Sequence, residues 1–380
     1  MFHHKIQMVD LQTQYSAIQA EMDEAIRSVI AEAHFVGGKQ VQQFADELAQ
    51  YLRVKHLIPC GNGTDALQIA LMALGVQRGD EVISVSNSFV ATAEAIALLG
   101  LRPVWVDNHP STFTIDVQQI EAAISPRTKA IIPVHLYGQS ADMEPILQLA
   151  KKYDLYVVED NAQAIGADYR FADGRIAKTG TMGHIGCTSF YPSKNLGCYG
   201  DGGAMFTNDA AIAEKMHQIA NHGQKVKYAS EMIGINSRLD SLQAAILSVK
   251  LRHLDDYNAR RQAVARYYDA AFAGVPNITT PYCATYSTHV FHQYTILLPK
   301  HRNIVKQKLA QAGIPTMIYY PIPIHQQKAY SQLYKGQMPL PNTEYLAQNS
   351  LSLPMHTELD APMLAYIVEQ LLNILGELEW

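Results

Sequence analysis

The sequence predicts an α/β protein: a large unit on a mostly parallel sheet covered by helices, followed by a smaller C-terminal α/β unit. Three observations lead there. Short runs such as Glu81–Val85 and Leu155–Asp160 are apolar almost throughout, as strands buried on both faces are. These runs alternate with helical patterns, the way parallel strands are connected. Beyond residue 250 the pattern changes, and Pro315, Pro321, Pro323, Pro339 and Pro341 punctuate the remainder.

Residues 11–33 read as one amphipathic helix, with Ile18, Met22, Ile26 and Val29 on one face. Glu81–Val85 is a strand, and residues 90–99 form the helix behind it. Pro103–Asp107 and Lys129–Val134 are the next strands, a helix covers residues 143–152, and Leu155–Asp160 is a strand that ends in acids. A long helix begins near Ser237, with Leu239, Leu242, Ile246 and Val249 as its buried stripe, and continues through the charged run Arg252–Arg266. The unit boundary falls within that helix, giving residues 1–250 and 251–380.

Of the 380 residues, 48% are hydrophobic and 17% charged, which supports a sizeable core. A net charge of -5 argues against a nucleic-acid partner, which calls for a basic face. The opening Met1–Ile6 carries no apolar run of leader type, and no segment is long and apolar enough to span a bilayer. Cys60, Cys187, Cys198 and Cys283 lack paired zinc-type spacing and read as reduced thiols of a cytoplasmic protein. No Asp, Glu or His group stands at metal-ligand spacing, so no metal is expected.

In parallel sheets the ligand crevice lies just beyond the strand ends. Three motifs fall there. In Cys60-Gly61-Asn62-Gly63-Thr64-Asp65, two glycines allow a tight turn, and Thr64 or Asp65 can cap the following helix. The free N–H groups of such a helix start suit a phosphate, although an ordinary capped helix reads the same way. Glu159-Asp160-Asn161-Ala162-Gln163 ends a buried strand in acid, which is costly without a partner. A cationic ring nitrogen satisfies such an Asp160, and Gln163 reaches the same ring; a carboxylate that caps the next helix is the plainer alternative. In Ser189-Phe190-Tyr191-Pro192-Ser193-Lys194, followed by Gly200-Asp201-Gly202-Gly203, a lysine sits in a loop of small residues. Partial desolvation there lowers an amine's pKa and makes it nucleophilic, whereas most lone lysines are simply solvated. Dinucleotide-binding, Walker-type and His-Glu-x-x-His motifs are absent from the sequence.

Together and in this order, these motifs make the chain resemble the sugar aminotransferases among the fold-type-I pyridoxal-phosphate (PLP) enzymes. These serve antibiotic- and O-antigen-sugar synthesis. The likeness runs from Val9-Asp10-Leu11 to Ser352-Leu353-Pro354-Met355-His356 and includes Asn236-Ser237-Arg238-Leu239-Asp240. The resemblance implies that Lys194 carries PLP as a Schiff base and shuttles the reacting proton. Asp160 would pair with the pyridinium nitrogen, Gln163 with the ring oxygen, and Phe89 would stack on the ring. Gly63, Thr64 and Ser189 would hold the phosphate. The family pattern also implies a homodimer with shared sites, in which Asn236, at the start of the long helix, reaches the partner's phosphate. Arg238 would meet an anionic group of the substrate.

The implied reaction is ping-pong: L-glutamate donates its amino group and leaves as 2-oxoglutarate, and the nitrogen passes to a nucleotide-linked keto sugar. Relatives that remove a sugar hydroxyl instead carry His at the position of Lys194. A non-catalytic, PLP-sensing or structural relative has little reason to keep Lys194, Asp160 and Gln163 together, and a nucleotide-binding regulator without PLP predicts a colourless protein. Cys60–Ile69, Gly197–Ala204 and Asn221–Gln224 resemble enzymes that aminate C3 of UDP-linked 2-acetamido-3-keto-glucuronic acid for lipopolysaccharide. Ser86–Phe89 and Val134–Gln139 also resemble the dTDP-linked 3-keto-6-deoxyhexose aminotransferases. One departure stands out. Many relatives carry His-Tyr-Pro-Ile-Pro where this chain has Tyr319-Tyr320-Pro321-Ile322-Pro323, so a cation near the sugar is lost and a hydroxyl kept. Arg238, Tyr320 and His325 are the residues left to contact the substrate in its place.

Overall fold

The computed structural model describes residues 6–334 and 338–379. Met1–Lys5, most of the opening read above as free of a leader pattern, lies outside the described residues. Seven strands form the main sheet: β1 His56–Cys60, β2 Glu81–Val85, β3 Arg102–Val106, β4 Thr128–Ile131, β5 Tyr156–Asp160, β6 Ile185–Ser189 and β7 Gly203–Thr207. Their spatial order is β1-β7-β6-β5-β4-β2-β3. Every pairing from β3 across to β6 is parallel, and β7 alone runs against its neighbours β6 and β1. The carboxyl ends of β1 to β6 and the start of β7 therefore share one edge of the sheet.

The apolar strands are buried on both faces, as their composition dictates. Val82 and Ile83 of β2 belong to separate apolar clusters on opposite faces, because successive strand side chains point to opposite sides. Each such side chain contributes about 1.5–3 kcal/mol by leaving water. The helices Gly63–Ala73 and Ala210–Ala220 cover one face. The helix Met143–Tyr153 covers part of the other.

Two helices expected to be continuous are broken. Residues 11–33 form Leu11–Ala17 and Gln19–Glu32, joined at Ile18 with φ -123° and ψ 19°. Ile18 is buried with Met22, Ile246 and Val249, so tertiary packing places a joint that no Gly or Pro marks. The long helix starts at Ser241 rather than near Ser237, ends at Leu251, and is followed by Leu254–Phe272. Glu21 clamps this joint: Arg252 Nη2 donates to its carboxylate at 2.8 Å, and His253 Nε2 lies 2.8 Å from the other oxygen.

The C-terminal part has its own small sheet, in which Tyr294–Leu297 pairs antiparallel with Ser350–Leu353. The helices Arg302–Gln311 and Ala361–Gly376 and the end of Leu254–Phe272 close over it. Ile6 belongs to the same apolar cluster, so the start of the described chain packs against its end. Among the described residues no helix is long and apolar enough to cross a membrane.

Candidate active site

A cavity of about 720 Å³ opens at the shared strand edge. It is lined by Gly63, Thr64, Phe89, Asp160, Gln163, Ser189, Lys194 and Tyr320 among others, so eight of the residues singled out in the sequence meet in one place.

The helix Gly63–Ala73 points its N-terminus into the cavity. Its cap is Asn62, not Thr64 or Asp65 as the motif suggested: Asn62 Oδ1 accepts the Asp65 N–H at 2.8 Å. This leaves the N–H groups of Gly63 and Thr64 outside the helical ladder, together with the positive end of the helix dipole. Ser189, the last residue of β6, closes the cradle. A Cβ on Gly63 would lie 2.7 Å from Ser189 Cβ, so only glycine lets the two elements come this close.

Asp160 ends β5 and is buried. Thr92 Oγ1 donates to its Oδ2 at 2.8 Å, and Ala162 N–H to its Oδ1 at 3.2 Å. A carboxylate has about four acceptor positions, so these two bonds leave capacity for a further donor. Its neighbour Glu159 points away from the cavity into a cage of donors. It accepts from the N–H groups of Gly180, Met182 and Gly183 and lies 2.9 Å from His135 Nε2. The end of β5 is thereby fixed from behind.

Gln163 is held by two bonds: Tyr137 N–H donates to Oε1 at 2.7 Å, and Nε2 donates to Tyr320 Oη at 3.2 Å. Phe89 is 53% exposed despite its apolar ring, and that exposed face looks into the cavity.

The Lys194 loop is tied down around the amine rather than at it. Lys194 N–H donates to Tyr191 O, and Asn195 Nδ2 donates to both Asn258 Oδ1 and Val290 O. The Lys194 amine itself makes no hydrogen bond or ion pair among the described residues. Burial pushes its pKa down to about 8, against the opposing pull of the Asp160 carboxylate. The neutral amine, the form a nucleophile requires, is thus far better populated near physiological pH than that of an ordinary lysine.

Three residues singled out in the sequence do not line this chain's cavity. His325, expected to contact substrate, is buried beside Ser86, with Nδ1 2.7 Å from Ser86 Oγ and Nε2 3.4 Å from Glu344. Asn236 and Arg238 are exposed, five and three residues ahead of the helix they were expected to start. Conversely, Tyr191, Asp201, His292, Gln293 and Tyr319 line the cavity without having been singled out as site residues. His292 is buried, its Nδ1 has no partner, and burial together with the charges of Lys194 and Arg261 pushes its pKa well below the usual range. A neutral imidazole therefore faces the lysine side of the cavity. Among the described residues no cluster of His, Cys, Asp or Glu is placed to hold a metal.

These groups fit PLP. The cradle offers two free N–H groups and a hydroxyl to a phosphate, Asp160 offers spare acceptor capacity to a protonated ring nitrogen, and Lys194 offers an unpaired amine to an aldehyde.

The family model for the DegT/DnrJ/EryC1/StrS aminotransferases matches residues 16–372. The chain is 46% identical over 368 residues to a pleiotropic regulatory protein of Geobacillus stearothermophilus, covering 96% of this chain and 97% of that one. It is 45% identical to the UDP-2-acetamido-2-deoxy-3-oxo-D-glucuronate aminotransferase of Pseudomonas aeruginosa, over 97% of this chain and 100% of that one. To the dTDP-3-amino-3,4,6-trideoxy-alpha-D-glucose transaminase of Streptomyces venezuelae it is 40% identical, over 96% and 95%. The crystal structure of S. venezuelae DesV in complex with a ketimine intermediate superposes with a TM-score of 0.93 at 38% identity, covering 99% of this chain and 100% of that one.

Proposed function

The chain belongs to the DegT/DnrJ/EryC1/StrS family of PLP-dependent sugar aminotransferases, and on that footing we propose that it moves the amino group of L-glutamate to C3 of a nucleotide-linked keto sugar. The observation that carries this reading is the unpaired, pKa-depressed amine of Lys194 facing the same cavity as Asp160 and the Gly63–Ser189 cradle. PLP, when bound, draws electron density from the reacting carbon. In this reading Lys194 anchors the cofactor and then moves the proton at that carbon. Asp160 keeps the ring nitrogen protonated, Gln163 orients the ring through its oxygen, Phe89 covers one face, and Gly63, Thr64 and Ser189 hold the phosphate.

The active unit in this reading is a homodimer in the cytoplasm. Asn236 and Arg238, exposed and away from their own cavity, enter the partner's site, Asn236 at the phosphate and Arg238 at the substrate. The division into a cofactor-holding unit through residue 250 and a C-terminal unit from 251 is part of the same proposal. It is supported by the helix joint at Arg252–His253 and the separate C-terminal apolar cluster.

For the sugar we favour UDP-2-acetamido-2-deoxy-3-keto-glucuronic acid, on a route to lipopolysaccharide, supported by the likeness to the Pseudomonas enzyme. A dTDP-3-keto-6-deoxyhexose is the second reading. It is favoured by the Streptomyces relative and by a lining in which Lys194 is the only cation described, His292 being neutral. A uronate carboxylate must then find its charge on Arg238 of the other chain. The test mixes the PLP-form enzyme with each candidate 3-amino product separately and follows the cofactor band. Bleaching by the UDP-linked amino uronate alone establishes the first reading, and bleaching by the dTDP-linked amino sugar alone the second. A band that responds to neither product but does respond to glutamate excludes both sugars and retains the aminotransferase.

A further inference from the structure

In the segment Asn236-Ser237-Arg238, where Asn236 bridges antiparallel to Asn221, burial alternates and the middle residue turns inward. Ser237 is 1% exposed, while Asn236 and Arg238 face out. The Ser237 hydroxyl lies at the root of the phosphate cradle of its own chain. It accepts the Gly61 N–H at 2.9 Å and donates to Asp65 Oδ2 at 2.6 Å. Gly61 immediately precedes the cap residue Asn62, and Asp65 is the residue whose N–H that cap holds. One hydroxyl thus grips the cradle's turn on one side and its helix on the other. The approach is close: a Cβ on Gly61 would lie 3.2 Å from Ser237 Oγ and 3.3 Å from Asp65 Oδ2. The segment is anchored on its far side too, since Ser237 N–H donates to Ala220 O and Ile235 N–H to Ile219 O at the end of the helix Ala210–Ala220.

We propose that Ser237 is a positioning residue that serves two active sites at once: through Gly61 and Asp65 it sets the phosphate cradle of its own chain, and through the backbone it shares with Asn236 and Arg238 it sets their reach into the partner's site. The proposal rests on the reading that Asn236 and Arg238 act in trans. The two ends are covalent neighbours, so a shift of the cradle on filling one site displaces the residues that complete the other. Filling of the two sites is thereby coupled. The Ser237 hydroxyl is the only side-chain group in the segment that joins the cradle by hydrogen bonds among the described residues.

Hybrid dimers with a single working Lys194 separate the two effects. In the first, a Lys194→Ala chain is paired with a Ser237→Ala chain, so the working site has a damaged cradle and an intact partner segment. In the second, a Lys194→Ala/Ser237→Ala chain is paired with an unmutated chain, so the working cradle is intact and only the partner segment is altered. PLP retention on dialysis and kcat/KM are read for each against the Lys194→Ala/unmutated hybrid. Loss of one charge-assisted and one neutral hydrogen bond predicts a drop of roughly tenfold in both hybrids. A drop confined to either hybrid overturns the double role, and no drop in either overturns it entirely. Ser237→Thr, which keeps the hydroxyl, restores both readouts; if it fails while thermal unfolding is unchanged, the hydroxyl is not the coupling group. A third hybrid, Lys194→Ala/Asn236→Ala with an unmutated chain, tests the trans reading by itself. Full activity there removes that premise, whatever Ser237 does.

Discussion

Gln163 and Tyr320 meet across the cavity wall, the amide Nε2 donating to the phenol oxygen at 3.2 Å. The other end of the amide is fixed by Tyr137 N–H, so its orientation is set from both sides. The Tyr320 ring also lies against Phe89, at 6.0 Å between centroids. One tyrosine therefore supports both side chains assigned to the cofactor ring. Tyr320→Phe keeps the ring contact and leaves an amide N–H without its partner, at a cost of about 1–3 kcal/mol. We expect kcat/KM for transamination to fall about tenfold with cofactor retention unchanged. Steady-state kinetics decide this, and an unchanged kcat/KM would mean that Tyr137 alone holds Gln163.

The Lys194 amine, with a pKa of about 8, makes cofactor loading pH-dependent in a defined direction. Only the neutral amine attacks an aldehyde. The rate of PLP uptake by the apo-protein should rise about tenfold per pH unit below the lysine pKa and level off above it. An ordinary lysine would keep gaining rate for about two further units. Stopped-flow absorbance across this range distinguishes the two. Lys194→Ala should abolish turnover and the covalent cofactor band while the circular dichroism of the fold persists.

Much of this site was legible because parallel sheets place functional groups just beyond strand ends. The ends of β1, β5 and β6 carry Gly63, Asp160 and Ser189, each part of a compact local motif. Residues brought in by tertiary packing were not legible in the same way. His292 and Gln293 arrive because the turn Tyr137–Gly138 docks their backbone, with Val290 N–H donating to Gly138 O and Gln293 N–H to Tyr137 O. Gly138 has φ 111°, and a Cβ there would lie 2.8 Å from Phe291 N, so its glycine is a trace of that docking with no local motif to announce it. The inward turn of His325 was not legible either: its neighbours Pro321, Ile322 and Pro323 read as a site loop, and Ser86 holds the imidazole inward. The helix joint at Arg252–His253 depends on Glu21, more than 200 residues away in sequence, and local periodicity carries no sign of it.

Gly63→Ala sets two small effects against each other. Alanine gains up to about 1 kcal/mol in helix propensity, and less at a helix start. The new Cβ, 2.7 Å from Ser189 Cβ, costs about 1–3 kcal/mol if the packed elements hold their places. Opening the cradle relieves the clash, so the loss should show in phosphate binding more than in folding. We expect PLP affinity to weaken about tenfold or more, with a small change in unfolding free energy. Gly376→Ala, at the end of the last helix with nothing within 4 Å of its Cβ, is the matched control and should leave affinity unchanged. Absorbance titration of the apo-proteins makes the comparison.

Glu159 gives the sharpest stability prediction, because every group around its carboxylate is a donor. Oε1 accepts from Met182 N–H at 2.6 Å and Gly183 N–H at 2.5 Å, and Oε2 accepts from Gly180 N–H at 2.7 Å. His135 Nδ1 accepts the Ala141 N–H at 3.1 Å, which leaves the proton of a neutral ring on Nε2, 2.9 Å from Glu159 Oε2. Both side chains are fully buried, so water cannot replace any of these bonds. Glu159→Gln conserves shape but must turn its NH₂ toward one pair of donors, leaving them unsatisfied and removing the charge the others bind. Leaving buried donors unsatisfied costs about 1–3 kcal/mol each. Because Glu159 directly precedes Asp160 on β5, the loosened strand end should also weaken cofactor retention. Urea denaturation of apo and PLP-loaded forms should show a lower midpoint for both. A variant with the parent's midpoint and full cofactor retention would show that the 180–183 loop and the end of β5 are held by backbone contacts alone.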